Sequence, residues 1–195
     1  RDQPSVQAEL RTALGNVYAD LNEFTNAEAM HREALAIRRD SPANEQTGIA
    51  ASLDGLAYAL WNQGKLTEAS RALARSLEIW EAGGSADSEE AAAHLTRLGS
   101  VYALQQRLAE SQDLLERALA MIERLGGGPN LQRSQLLEDL ADLSFQRGDN
   151  TKAGQLYLRV LNQTQALLGK DGIELMGPLN GLGSVHFVNG DYKKA

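Results

Sequence analysis

Three histidines, two pairs of adjacent carboxylates and one glycine cluster are the residues whose types could do chemistry in this chain. A zinc centre needs three or four converging His, Cys or carboxylate ligands. His31, His94 and His186 share no metal-like spacing, and the sequence contains no cysteine. Two carboxylates acting as acid and base must face the same reacting bond. Glu89-Glu90 and Glu138-Asp139 are sequence neighbours, and neighbours on a helix point in different directions. Gly126-Gly127-Gly128 has the glycine content of a phosphate loop. It follows a helical pattern rather than a strand, however, and no Lys-Ser/Thr comes after it, so it reads as a linker. The serines sit in no nucleophile motif and have no paired base. These residues predict a chain that is not an enzyme, with no catalytic residue, metal site or cofactor. His31 and His186 are expected to be satisfied interior histidines rather than switches.

What positions these residues is a repeat. Leu14, Leu56, Leu98, Leu140 and Leu182 are spaced by 42 residues each, and Gly15, Ala57, Gly99, Ala141 and Gly183 follow them. Thirteen residues after each leucine stands a small residue: Ala27, Ala69, Ser111, Ala153 and Ala195. A fixed period of roughly 20–50 residues is the mark of stacked supersecondary units. Repeat borders are expected near 5–46, 47–88, 89–130, 131–172 and 173–195, the last one incomplete, within a single solenoid over 1–195.

Each repeat holds two helical patterns. Leu10, Leu14, Val17 and Leu21 form one stripe of a 3.6-residue helix, expected to be buried by a neighbouring helix or repeat. Phe24, Ala27, His31, Ala34 and Leu35 carry the period on after a break. The break position reads Asn22, Gly64, Gln106, Gly148 and Gly190, and Gly and Asn tolerate the left-handed conformation that ends a helix. Gln106 is expected to make the same turn at a local cost. Ser41-Pro42-Ala43-Asn44, Gly83-Gly84-Ser85, Gly126-Gly127-Gly128-Pro129 and Gly169-Lys170-Asp171-Gly172 are turn clusters between units. The pattern predicts an all-α chain with helices near 4–21, 24–40, 46–63, 66–82, 87–105, 108–125, 131–147, 150–168 and 175–189. Pro178 requires the ninth helix either to start late or to kink. A tenth helix is expected to open at Tyr192. A chain that begins without Met and stops partway into a helix reads as a piece of a longer one.

The repeated residues resemble the tetratricopeptide repeat family, whose unit of about 34 residues carries a Leu-Gly pair, a Tyr and a later Ala-x3-Phe. Here the Leu-Gly pair is Leu14-Gly15, Leu98-Gly99 and Leu182-Gly183, with Ala57 and Ala141 replacing glycine elsewhere. The Tyr position holds Tyr18, Leu60, Tyr102, Ser144 and His186, and no copy has the family's Trp. The Ala-x3-Phe pair appears as Ala27/His31, Ala69/Leu73, Ser111/Leu115 and Ala153/Tyr157. The family's closing Pro is replaced by Arg39, Glu81, Glu123 and Gln165, which lets the second helix run on. A 42-residue unit is similar to the kinesin-light-chain-like branch, and the Ala/Leu/Arg/Gly-rich flavour resembles bacterial arrays attached to regulators. The resemblance implies an α-solenoid of antiparallel helix pairs in a right-handed superhelix, about 4.5 repeats long.

The resemblance also implies a protein–protein interaction scaffold whose first helices line a groove for a peptide or a partner helix. The corresponding positions include Asn16 and Asp20 in the first copy, and Asp54, Tyr58, Trp61 and Asn62 in the second. The third supplies Ser100 with Arg97 adjacent, and the fourth Glu138, Asp142, Phe145 and Gln146. Glu9 and Asp139 add to an acidic face. Its occupant is expected to be a protein or peptide with basic and apolar side chains; a clamp for a terminal carboxylate would need more cations. The same charges also suit plain solvation, and Trp61 and Phe145 could equally pack on the following turn. A net charge of −7 repels phosphate backbones and anionic lipid, and no run of about 18 apolar residues is present. Nucleic acid and membrane are therefore not expected as partners, and a cytoplasmic location is. The alternative role is regulatory or structural: packing on an effector domain of the same protein, or self-association through the uncapped C-terminal helix.

Overall fold

The computed structural model describes residues 4–39, 46–83, 88–126, 130–169 and 172–191. Among them are nine α-helices and one short 3-10 turn. The helices are α1 (Pro4–Asp20), α2 (Phe24–Arg39), α3 (Gln46–Asn62), α4 (Leu66–Ala82), α5 (Glu89–Leu104), α6 (Leu108–Arg124), α7 (Leu131–Gln146), α8 (Asn150–Leu168) and α9 (Met176–Val188). The 3-10 turn, Ile173–Leu175, leads into α9, so that Pro178 falls in the helix's first turn, where a missing N–H costs nothing. The Ser41–Asn44 cluster, Gly84-Ser85, Gly127–Pro129, Lys170-Asp171 and the helix expected at Tyr192 lie outside the described residues. Contacts divide the chain into two compact units, Arg1–Asp87 and Ser88–Ala195, at the border between the second and third repeats.

The turns inside the helix pairs follow one design. Asn22, Gly64, Gln106, Gly148 and Gly190 all have positive φ, from 60° to 82°. In each, the residue after the turn donates its N–H back to the Tyr-position carbonyl, as in Glu23 N to Tyr18 O at 2.8 Å and Arg107 N to Tyr102 O at 2.9 Å. The positive-φ residue itself bonds three residues back, completing a Schellman closure that satisfies two orphan carbonyls. Gln106 keeps this geometry at φ 62° without glycine's freedom.

Within the first unit, α1 packs on α2, α2 on α3 and α3 on α4, and α1 also meets α3. Within the second, α5–α6, α6–α7, α7–α8 and α8–α9 pack in the same way, and α5 meets α7 as α7 meets α9. First helices of successive repeats thus lie side by side inside each unit. The Ala-x3-Phe position explains the glycines. A Cβ on Gly15 would come 2.6 Å from the His31 ring, and one on Gly55 2.2 Å, so the imidazole is wedged between two first helices. Tyr157 bears on Gly181 in the same way, where a Cβ would approach its ring to 2.3 Å, and Leu115 bears on Gly99.

Two expectations are corrected. The stripe Leu10, Leu14, Val17 and Leu21 is exposed, each residue by 49% or more. α1 buries Ala8, Gly15 and Ala19 instead. Leu56, at the same repeat position as Leu14, is buried in a cluster with Leu60 and Ala69, against which Leu35 of α2 packs. No described helix stands in that place before α1. His31 is interior, but it is not satisfied: it is fully buried and neither ring nitrogen has a hydrogen-bond partner among the described residues. Burial, and then the nearby Arg38 charge, lowers its pKa to about 4, so it is neutral at pH 7.

Candidate peptide-binding face

The surfaces of first and second helices treat their acids differently. Glu28 of α2 accepts from Lys65 at 2.8 Å, from Gln63 at 2.9 Å and from Arg32 one turn on. Burial opposes its charge, but those hydrogen bonds prevail and hold its pKa at about 2. Glu68, Glu116 and Glu123 are likewise held by Arg32, Lys152 and Arg159 across helices. On the first helices Glu9, Asp20, Glu138 and Asp142 have no ion-pair partner among the described residues.

In the first unit, Asn16, Asp20, Tyr58 and Asn62 are exposed, Asp54 and Trp61 half-buried. Tyr58 is 51% exposed and meets Phe24 edge-on at 6.1 Å, while the Asn62 amide donates to the Tyr58 carbonyl at 2.9 Å. Trp61 packs against the cluster of Leu56, Leu60 and Ala69, so part of its ring serves the core. Beneath this face lies a polar network. The Arg38 guanidinium, 5% exposed, donates to Thr12 Oγ1 at 2.9 Å and Ser52 Oγ at 2.5 Å, and the two hydroxyls are 2.9 Å apart.

In the second unit, Arg97 is exposed beside a cavity it shares with Glu89, Glu90, Gln132 and Gln135. Ser100 turns its hydroxyl to Asp139 at 2.5 Å, and Gln135 adds a bond to the same carboxylate at 3.1 Å. Asp139 is therefore turned to its neighbours rather than displayed. Burial raises its pKa, those two donors oppose the rise, and Asp142 adds to it. Asp142 and Gln146 are exposed, and Asp142 accepts from the Tyr157 hydroxyl at 2.5 Å. Burial and that carboxylate raise the Tyr157 pKa. Phe145 packs against Ala141, Ala153, Tyr157 and Val185. Glu138 is half-buried; burial first, then Asp142 and Asp139, raise its pKa.

The helix pairs, their Schellman turns and the Leu-Gly/Ala beat match one family model, Tetratricopeptide repeat, over residues 6–82 and 89–153. The chain belongs to the tetratricopeptide repeat family. Its fold, an all-α helical-repeat solenoid, is shared with BtubC (BKLC) from P. vanneervenii, at TM-score 0.84 and 21% identity over 98% of this chain and 76% of that one. It is also similar to nearly identical TPR-like repeats of kinesin-light-chain type from Podosopora anserina, with TM-score 0.81 and 19% identity over 100% of this chain and 92% of theirs. The apo form of RapI aligns with TM-score 0.78 and 15% identity over 99% of this chain and 51% of that one. At these identities the likeness shows the fold alone. No curated protein matches the sequence. Among the described residues of this tetratricopeptide repeat chain, no helix is long and apolar enough to cross a membrane.

Sequence reasoning missed two residues of this face. Ser134 and Glu174 line a cavity with Glu138, yet neither stood out by type or spacing. The structure places Glu174 in the 3-10 turn that leads into α9, which no turn signal in the sequence marks.

Proposed function

We propose that this chain is a non-enzymatic interaction scaffold that binds a peptide or helix rich in basic and apolar side chains along its first helices. The observation that carries this reading is a contrast in charge pairing: Glu28, Glu68, Glu116 and Glu123 of the second helices are neutralised by Arg and Lys across the repeats, whereas Asp20, Glu138 and Asp142 of the first helices have no ion-pair partner among the described residues. In the first unit, unpaired Asp20 would supply charge attraction and the exposed Tyr58 ring an aromatic anchor. Arg97 is the cation expected to set register by repelling a basic residue. Asn16, Asn62 and Gln146 are amides placed to bond an extended backbone.

The test is fluorescence anisotropy with labelled short peptides combining Lys or Arg with Phe or Leu. Binding should weaken with salt and fall about tenfold in Asp20→Lys or Tyr58→Ala. Peptides that bind none of these proteins, or bind all of them alike at every salt concentration, reject the reading.

A second reading rests on α9, where Met176, Leu179, Phe187 and Val188 are each at least 50% exposed. An apolar helix face of this kind suits self-association. Light scattering that gives a monomer at every concentration rejects it.

A further inference from the structure

In the second unit a cavity of about 400 Å³ opens between α7, α8, the 3-10 turn and α9. Ser134, Glu138, Thr164, Glu174 and Gly177 line it, with Leu131 and Ile173 as apolar wall. Glu138 has neither a hydrogen bond nor an ion pair among the described residues, although its neighbours are served: Asp139 by Ser100 and Gln135, Asp142 by Tyr157. Glu174 brings a second carboxylate from a different element. A Cβ on Gly177 would lie 1.9 Å from Glu138 Oε1, so the carboxylate rests directly against the backbone of α9.

An independent observation points to a ligand. Ser134 is only 5% exposed, and its hydroxyl has no hydrogen-bond partner among the described residues. Several serines on this chain's helices bond a carbonyl one turn back, as Ser144 does to Leu140 at 2.7 Å and Ser184 to Asn180 at 2.9 Å, while buried Ser111 shares the unpartnered state of Ser134 among the described residues. Buried hydroxyls are rarely left in that state. Ser134 instead faces a cavity that already holds an unpaired acid.

We propose that this cavity receives one arginine side chain of a bound polypeptide, with Glu138 and Glu174 holding the guanidinium and Ser134 Oγ accepting one of its N–H groups. A planar guanidinium offers five donors in a fixed fork, which suits acceptors arriving from separate elements. Lysine would bring a compact, strongly hydrated charge that a half-buried site strips of water at greater cost. The volume lies within the range of small-molecule pockets and is ample for one side chain, with Leu131 and Ile173 as the apolar lining for an aliphatic stem. Among the described residues no three His, Cys or carboxylate groups converge as metal ligands. The inference rests on the peptide-binding reading above and adds which side chain enters, and where.

The test is an NMR titration of the whole chain with N-acetyl-arginine amide, beside N-acetyl-citrulline amide as its neutral counterpart and N-acetyl-lysine amide as the rival cation. The arginine compound should give saturable shifts at the amides of Ser134, Glu138, Glu174 and Gly177, with citrulline giving none and lysine weaker ones. Glu138→Gln should weaken binding about tenfold, and Glu174→Gln by a smaller factor, with the remaining spectrum unchanged. Gly177→Ala, whose methyl would displace the Glu138 carboxylate, should act like Glu138→Gln. Equal shifts from arginine and citrulline, lysine binding as tightly as arginine, shifts confined to other residues, or a Glu138→Gln protein that binds unchanged would each overturn the proposal. If basic peptides bind but Glu138→Gln leaves them unaffected, the cavity assignment fails and the scaffold reading stands. If the arginine compound binds here and no peptide binds, the preference for a guanidinium stands, but its source is not a polypeptide and the proposal is overturned together with the scaffold reading.

Discussion

The same repeat position does different work in the two units. In the first, His31 is wedged between Gly15 and Gly55 with both ring nitrogens unpartnered among the described residues. In the second, Tyr157 bears on Gly181 with its hydroxyl bonded to Asp142. The fold asks for a bulky side chain against a glycine: a ring in His31 and Tyr157, a branched chain in Leu115 against Gly99. What the wedge carries at its polar edge is left free. In the first unit that freedom produces a buried neutral imidazole near Arg38, and in the second it ties the core to the acidic face.

The difference is sharpest in acid. The His31 pKa lies at about 4 in the folded chain, below the ordinary value of 6.5 for an unfolded histidine. Between those values the unfolded chain holds more protons, so the stability His31 contributes is complete above about pH 6.5 and is lost as pH falls toward 4. The full loss is about 3 kcal/mol. Glu138 and Asp139 have raised pKa values, so the folded second unit holds the extra protons and gains stability on mild acidification. Trp61 and Trp80, the chain's two tryptophans, both lie in the first unit. Urea unfolding followed by tryptophan emission should therefore weaken from pH 7 to 5, while hydrogen-exchange protection factors in α7 and α8, corrected for the intrinsic rate at each pH, rise or hold. Equal weakening of both units would break the comparison. Glu28 also loses stability in acid, but only below about pH 4.5, which separates the two windows.

Substitution at the wedge tests the steric half. Gly55→Ala and Gly181→Ala each force a methyl into a ring and should cost about 1–3 kcal/mol in urea denaturation. His31→Leu copies Leu73 and Leu115 at the same repeat position and removes two unpaired nitrogens, so it should stabilise by about 1 kcal/mol at pH 7 and abolish the acid effect between pH 6.5 and 5. Tyr157→Phe keeps the wedge and loses one hydrogen bond to a carboxylate; a loss of about 1 kcal/mol is expected. The smallest effect belongs to the turns: Gln106→Gly should add about 0.5–1 kcal/mol by relieving a positive φ.

Much of this architecture is legible in the sequence, for local reasons. Helix limits are set by turn chemistry, so α2, α4 and α8 begin at the residues the pattern marks, and all five break positions adopt positive φ, Gln106 included. Pro178 fixes the late start of α9 in the same local way. Burial at the Leu14 stripe is not local: Leu35 of α2 packs against the cluster that buries Leu56, and among the described residues nothing takes that place against Leu14. The pairing of His31 and Ser134 depends on groups brought together from separate helices, which a period of 42 can align but cannot orient. Glu138 and Asp139 look equivalent in sequence. One residue of rotation around α7 gives Asp139 the donors Ser100 and Gln135 and leaves Glu138 facing the cavity.

The claim that first helices recognise and second helices scaffold is tested most directly by mapping amide shifts as a peptide of alternating Arg and Phe is added to the isotope-labelled chain. The account predicts saturable, salt-sensitive shifts on α1, α3, α5, α7 and α9, with α2, α4 and α6 quiet and α8 shifting only around Thr164, where it lines the arginine cavity. Shifts concentrated on the second helices, or none at any concentration, would contradict it.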